Sequence, residues 1–256
     1  MSDPNNVFTQ LSGSTPADAS ISKEHGLAYW ESVSADENGM LGGIPTFAGF
    51  ANTSKIDLQG SRNFLAKFGI GSKPGLRRCK RILEGGAGVG RITEGLLTDL
   101  LVVDENEGGK GPGKVDVVEP IAKFTAKLQG KKGVGKVYVM GLEEWVPEVG
   151  EGENKYDLVW TQWCVGHLTD EQLVAYLQRC KSALAEDGLI VIKENTTVLG
   201  NDEFDKEDSS VTRGEATFQK VFQKAGLKVV KAEFQKGFPQ TRTMKLLPVR
   251  MYALKP

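Results

Sequence analysis

Residues 83 to 97 read LEGGAGVGRITEGLL, with four glycines in the six positions 85 to 90 and a helical pattern directly after them. Glycines packed this way clear side chains from a turn, so its backbone can take left-handed conformations and a ligand can lie against it. The apolar run RILEG leads into the loop, which makes the unit strand, tight turn, helix. Open α/β sheets use that unit where the carboxyl end of a strand meets a helix N-terminus in a crevice. The chain keeps the same rhythm afterwards, with strands expected at 81–85, 114–120, 135–140, 156–163 and 188–195 and helices at about 91–101, 121–128 and 170–184. Thr169 and Gln172 have capping-box spacing for the last of these helices. Thr212 and Glu215 repeat that spacing before a helix at about 213–224, and the runs 227–234 and 249–256 suit an antiparallel pair. The fold class is α/β with a mostly parallel sheet.

Two helices precede the first strand, at 24–33 (EHGLAYWESV) and 57–68 (DLQGSRNFLAKF), joined by DENGMLGGIPTF, whose glycines and proline favour a loop of special geometry suited to a lid. The domain organisation expected is a polar, disordered tail over 1–20 and a single domain over 21–256, of which 21–70 form a helical cap. The acidic, glycine-rich segment 102–114 reads as an inserted surface excursion. Lys and Arg number 32 against 33 Asp and Glu, so no global field draws the chain to nucleic acid or to an acidic membrane. A charged partner must therefore be read by a local patch. Cys79, Cys164 and Cys180 are odd in number and lack C-x-x-C spacing, which fits free thiols in a reducing compartment; the expected location is cytoplasmic, extending to the nucleus. No apolar run approaches the roughly 20 residues of a membrane span, and the first residues lack the pattern of a secretion signal. Two histidines and scattered cysteines give no metal-ligand spacing, so no metal is expected.

The glycine loop fails the dinucleotide fingerprint, because Gly86 and Gly88 are followed at the sixth position by Arg91. It fails the P-loop too, having no Lys-Ser/Thr pair after the glycines. What remains is E-x-G-x-G-x-G from Glu84, with Glu119 ending the second strand where a carboxylate can accept both hydroxyls of a ribose. That is the arrangement of S-adenosyl-L-methionine sites.

Farther on, the motifs become more specific. The run WTQWCVGHLTDEQLVAYLQRCKSALAEDGLIVIKEN (160–195), with GGAGVGRIT, YWESV, GMLGG and DSSVTR, resembles the protein N-terminal α-amino methyltransferases, which act on chains beginning X-Pro-Lys or X-Pro-Arg once the initiator Met is removed. The resemblance runs from Tyr29 to the C-terminus. It implies a class I methyltransferase fold, Rossmann-like, with a seven-stranded sheet containing one antiparallel strand, helices on both faces and an N-terminal helical cap. It implies S-adenosyl-L-methionine as cofactor, with S-adenosyl-L-homocysteine as product, and protein or peptide N-termini as partners. On that resemblance Gly86, Arg91, Glu119, Leu142, Glu143 and Gln162 fall at cofactor positions. Leu41, Trp163, Asn195, Asp205, Asp208 and Ser210 fall at substrate positions, and His167 with Asp208 at those of the proton acceptors. Relatives often carry Asp where this chain has Glu119 and Glu194, and a substrate-facing Tyr of some falls on Leu247.

The residue types suit the chemistry. Only a neutral amine can attack a sulfonium methyl, and an α-amine titrates near ~7.7 to 8.0, so freeing its lone pair at pH 7 costs only about 1 kcal/mol. A modest base such as His167 or Asp208 suffices. Each residue also has a plainer reading: His167 as a loop residue near a helix start, NDEFDKEDSS as a solvated acidic loop, and the tryptophans of 160–163 as core. Alternation along a strand puts Trp160 and Trp163 on opposite faces, so one of them at most faces the site. A methyltransferase for small-molecule amines and a non-catalytic reader of N-termini remain the alternatives.

Overall fold

The computed structural model describes residues 15–103, 112–148, 155–242 and 244–256. Short β-rich runs become strands β1 (Arg81–Gly85), β2 (Lys114–Val118), β3 (Val134–Tyr138), β4 (Tyr156–Gln162) and β5 (Leu184–Asn195). After them come β6 (Glu203–Asp205), β7 (Ser210–Thr212), β8 (Lys228–Phe234) and β9 (Val249–Lys255). Seven form one sheet in the order β3-β2-β1-β4-β5-β9-β8, and β6 pairs with β7 in a separate hairpin. β9 runs antiparallel to both of its neighbours, while the β1 to β5 pairings are all parallel. The chain leaves β1 outward through β2 and β3, then returns to β4 on the other side of β1. Strand order reverses between β1 and β4, the position at which such sheets open a crevice.

Central strands are buried on both faces, which explains their near-continuous apolar runs. Leu83, Val159 and Ile190 face a core shared with helices α5 (Asp170–Ser182) and α6 (Glu215–Lys224). Ile82, Leu158, Trp160 and Val191 face the opposite core, closed by α3 (Thr53–Ala66) and by the helical turns after the glycine loop. The cap adds α1 (Lys23–Ser32) and the short α2 (Glu37–Met40); α4 (Ala122–Thr125) follows β2. Among the described residues no helix is long and apolar enough to cross a membrane.

Several expectations are corrected. Residues 17–20, expected within a disordered tail, form a 3-10 turn, because Asp18 Oδ2 accepts from Asp170 N at 2.8 Å and brings negative charge to the N-terminus of α5. The helix expected over 91–101 is present as a continuous helical segment over 91–100, but its geometry passes from α at 91–92 through a π turn (Thr93–Leu97) to a 3-10 turn (Thr98–Leu100). Arg62 of α3 takes the Gly95 carbonyl, and Leu58 packs where a Cβ on Gly95 would sit. Thr169 and Gln172 form the capping box of α5. Thr212 does not cap α6: it is consumed by β7, and the helix starts from Gly214, whose N–H donates to Asp202 Oδ1 at 2.7 Å. β5 starts at Leu184 instead of 188, with a register irregularity before Leu189 absorbing the turn. The expected tail over 1–14 and most of the insertion, 104–111, lie outside the described residues.

Candidate active site

The glycine loop has the backbone its composition requires. Gly86, Gly88 and Gly90 have φ of +70°, +55° and +94°, a region where side chains are strained. A Cβ on Gly86 would run into Cys164 Sγ, and one on Gly88 would lie 2.6 Å from Met40 Sδ. Gly86 N and Ala87 N both donate to Val118 O, at 2.8 and 3.3 Å, which pins the loop to β2. Glu119 completes the tie, accepting from Gly88 N and Ile121 N at 2.9 Å each. Its burial raises the carboxyl's pKa, and these two hydrogen bonds oppose that rise.

Above the loop opens a cavity of about 280 Å³. All six expected cofactor residues, Gly86, Arg91, Glu119, Leu142, Glu143 and Gln162, line it. The cleared glycine backbone, a carboxylate at the end of the second strand and the Arg91 cation fit a cofactor that combines a ribose with a carboxylate-bearing tail. At the far wall stand Trp163 and His167, with Trp30 from α1.

Trp163 lies just past the end of β4 with φ of +54°, a left-handed conformation uncommon for a bulky residue and costing roughly 1–3 kcal/mol. This twist, more than strand alternation, turns its ring into the cavity while Trp160 stays in the core. Its backbone N–H is held by Lys193 O at 3.1 Å, and the Arg91 guanidinium sits 5.2 Å from its ring centroid. The indole N–H is buried with no partner.

His167 is gripped from three sides. Trp30 Nε1 donates to its Nε2 at 3.0 Å, the Ser209 backbone takes a hydrogen bond from the ring, and Asp208 Oδ2 lies 3.9 Å from Nε2. Burial pushes the imidazole below its ordinary pKa against the pull of Asp208, so it is neutral at pH 7. Gly26 of α1 makes this packing possible, since a Cβ there would stand 3.3 Å from Asp208 O and 3.4 Å from His167 Nδ1. One Asp208 oxygen, Oδ1, is buried without a hydrogen-bond partner.

The remaining expected residues stand around this junction. Ser210 opposes Asp205 in the β6–β7 hairpin, which packs on Gly166 beside His167, and Asp205 is exposed with Oδ1 accepting from Glu207 N at 2.8 Å. Asn195 ends β5, its N–H bonded to Glu194 Oε1 at 3.0 Å, and does not line the cavity. Leu41 is buried in the loop after α2, and its neighbour Met40 is the one that lines the cavity. Glu194 also accepts from Val165 N at 3.3 Å, fixing the turn that carries His167; burial pushes its pKa up to about 7.

Sequence reasoning missed Trp30, Met40 and Lys23, all cap residues on the cavity. It also missed a buried cluster of Asp57, Lys193, Arg91 and Gln162 beneath the floor. A lysine inside the apolar run LIVIKEN was the available signal for that cluster, because a lysine buried on a central strand needs a counter-ion.

The chain matches the family model for AdoMet dependent proline di-methyltransferases over residues 18–255. It is 40% identical over 234 residues to alpha N-terminal protein methyltransferase 1 of Schizosaccharomyces pombe, covering 90% of this chain and 94% of that one. To N-terminal Xaa-Pro-Lys N-methyltransferase 1-B of Xenopus laevis it is 39% identical over 214 residues, covering 82% and 86%. Among solved structures, an S-adenosylmethionine-dependent methyltransferase of Leishmania major superposes with a TM-score of 0.72 at 34% identity, covering 91% of this chain and 82% of that one.

Proposed function

The chain belongs to the AdoMet-dependent proline di-methyltransferase family, and from that membership we propose that it transfers methyl groups from S-adenosylmethionine to the α-amine of protein N-termini beginning Xaa-Pro-Lys or Xaa-Pro-Arg. The observation that carries this reading is the joining, in one cavity, of a glycine cradle and Glu119 to Trp163 and His167, with Asp208 Oδ2 standing behind the lining at 3.9 Å from His167 Nε2.

S-adenosylmethionine supplies the electrophilic methyl group when bound. Glu119 would hold its ribose, the cleared glycine backbone would lie against its methionine half, and Arg91 and Gln162 would face the amino-acid end. The protein's own contribution is to admit a neutral amine and align it. Trp163 offers a flat wall for the second-position proline, whose restricted ring loses little freedom on packing, and its unpaired indole N–H can donate to a substrate carbonyl. Asp208 Oδ1, buried and unpartnered, accepts from the α-amine and passes its proton toward water. His167, with Nε2 already taken by Trp30, keeps the cap and Asp208 in register and draws the proton off once that indole swings away. Asp205 and its hairpin neighbours meet the basic third residue, a local acidic patch on a chain of net charge −1.

The test is mass spectrometry of a Ser-Pro-Lys-Arg peptide incubated with the enzyme and S-adenosylmethionine, beside its N-acetylated twin. The expected outcome is mass gain in methyl steps on the free peptide only. Transfer to small amines but not to the peptide favours the small-molecule alternative, and binding without transfer favours a reader.

A further inference from the structure

The buried cluster beneath the cavity floor is used by no step above. Asp57 of α3 is fully buried, and its carboxylate meets Lys193 Nζ at 2.5 Å, Arg91 Nη1 at 2.8 Å and Gln162 Nε2 at 3.0 and 3.1 Å. Lys193 is equally buried, and Asp57 O at 3.0 Å, Ser61 Oγ at 2.9 Å and Gln235 Oε1 at 2.8 Å crowd around its Nζ to share the remaining donors. At its other end the Gln162 amide accepts from Trp160 Nε1 at 3.2 Å. Two of the carboxylate's partners, Arg91 and Gln162, line the cavity, whereas Asp57 and Lys193 lie wholly below it.

Stability alone is a weak reason for such a cluster, because well-packed apolar residues of similar volume commonly replace buried ion pairs without loss. Orientation is a stronger one. A guanidinium and a primary amide each have several rotamers, and the single carboxylate selects one for each by accepting from both. Two cations against one carboxylate also leave a formal excess of positive charge under the floor, which complements an anionic group in the cavity. Burial by itself would raise the Asp57 pKa, yet the Lys193 and Arg91 charges hold it below its ordinary value, so the anchor is charged at working pH.

We propose that Asp57 is a positioning residue that aims Arg91 and Gln162 at the amino-acid end of the cofactor, with Lys193 as its counter-cation. The proposal rests on the cofactor assignment made above.

The experiment compares the wild type with Asp57→Leu/Lys193→Met, which removes both charges while keeping volume. Asp57→Asn/Lys193→Gln keeps hydrogen-bonding groups without charge and serves where the apolar pair does not fold. Calorimetric titration with S-adenosylhomocysteine reads cofactor affinity, a separate titration reads the Ser-Pro-Lys-Arg peptide, and circular dichroism reads folding. A folded double variant is expected to bind S-adenosylhomocysteine at least tenfold more weakly. Its KM for S-adenosylmethionine should rise in step, its kcat at saturation should fall less than threefold, and its peptide affinity should stay within twofold. Unchanged cofactor affinity in a folded variant overturns the proposal, as does an equal loss of cofactor and peptide binding. Wild-type protein that does not bind S-adenosylhomocysteine would instead bring down the cofactor assignment, and the proposal with it.

Discussion

The two walls of the cavity are built from different materials. On the inner wall, backbone hydrogen bonds and buried charge do the holding: the glycine-loop N–H groups reach Val118 and Glu119, and Arg91 is anchored on a fully buried carboxylate. The outer wall is assembled from distant segments through side chains. Ser22 N donates to Ser209 Oγ at 2.8 Å, Trp30 to His167 at 3.0 Å, and Lys23 reaches Glu143 and Glu144 at 2.6 Å while itself 46% exposed. Lys123 adds a further tie, donating to the Glu31 and Val33 carbonyls at the end of α1. Water can replace most of the second set and almost none of the first. A wall of exchangeable contacts opens at low cost, which suits admission of a protein chain end, whereas a cofactor seat gains from rigidity.

This contrast orders the expected effects of mutation. The largest belongs to Gly86→Val. Left-handed backbone costs an L-residue roughly 1–2 kcal/mol, and forcing a side chain against Cys164 adds roughly 1–3 kcal/mol more. The sum corresponds to about a hundredfold weaker S-adenosylhomocysteine binding by calorimetry. A loss below about threefold would mean that the inner wall yields as readily as the outer. Next is Asp208→Asn, expected to lower kcat by about ten- to a hundredfold at pH 7, toward the lower end of what a positioned proton acceptor contributes, with the KM for S-adenosylmethionine unchanged. A raised cofactor KM in that variant would erase the division between the walls.

The inner wall also predicts a pH dependence. Glu84, buried under the loop and accepting from Thr93 Oγ1 at 2.5 Å, has its pKa pushed up to about 8 by burial. In the unfolded chain it titrates near ~4.3, so between those values the folded state binds the extra proton. Stability should therefore fall as pH rises from about 5 to about 8, and Glu194, raised to about 7, acts in the same direction. Glu84→Gln keeps the shape and removes the titration, so its Tm measured across that range should slope less steeply than that of the wild type. Equal slopes would place the pH sensitivity elsewhere.

The same division governs what was legible in the sequence. Gly86 to Gly90, Glu119 and the five parallel strands could be read because their signals are local: spacing within one turn, or apolar runs bounded by breakers. Trp30, His167 and Asp208 meet across separations such as the 137 residues between the first two, and no local pattern carries that meeting. Thr212 and Glu215 show the limit from the other side, since a correct capping spacing lost to a three-residue strand that needed Thr212 for pairing with Glu203. In the lid segment Met40 lines the cavity while Leu41, the expected substrate contact, is buried beside it, just before Gly42 and Gly43 with φ of +57° and +74°. Lys193 announced a buried counter-ion, but nothing in its own stretch pointed to Asp57, which lies 136 residues earlier beside Ser61 on α3.

The smallest predicted effect is the one that best separates the walls. Lys23 bridges the start of α1 to Glu143 and Glu144 across the cavity's edge, and it is half in water. Exposed pairs contribute about 0–1 kcal/mol, so Lys23→Ala should raise the KM for S-adenosylmethionine by no more than about fivefold while Tm barely moves. Such a pair is screened over a Debye length of about 8–10 Å at moderate salt and about 3 Å at 1 M. The wild type should therefore approach the variant as salt is raised from 0.05 to about 0.5 M, whereas the Asp57 cluster, sealed from ions, should leave its own affinity difference intact over the same range. Parallel salt responses in the two sets of variants would show that α1 is docked by Trp30 and Ser22 and that Lys23 is a bystander. Divergent responses would show a lid latched by charge over a seat that salt does not reach.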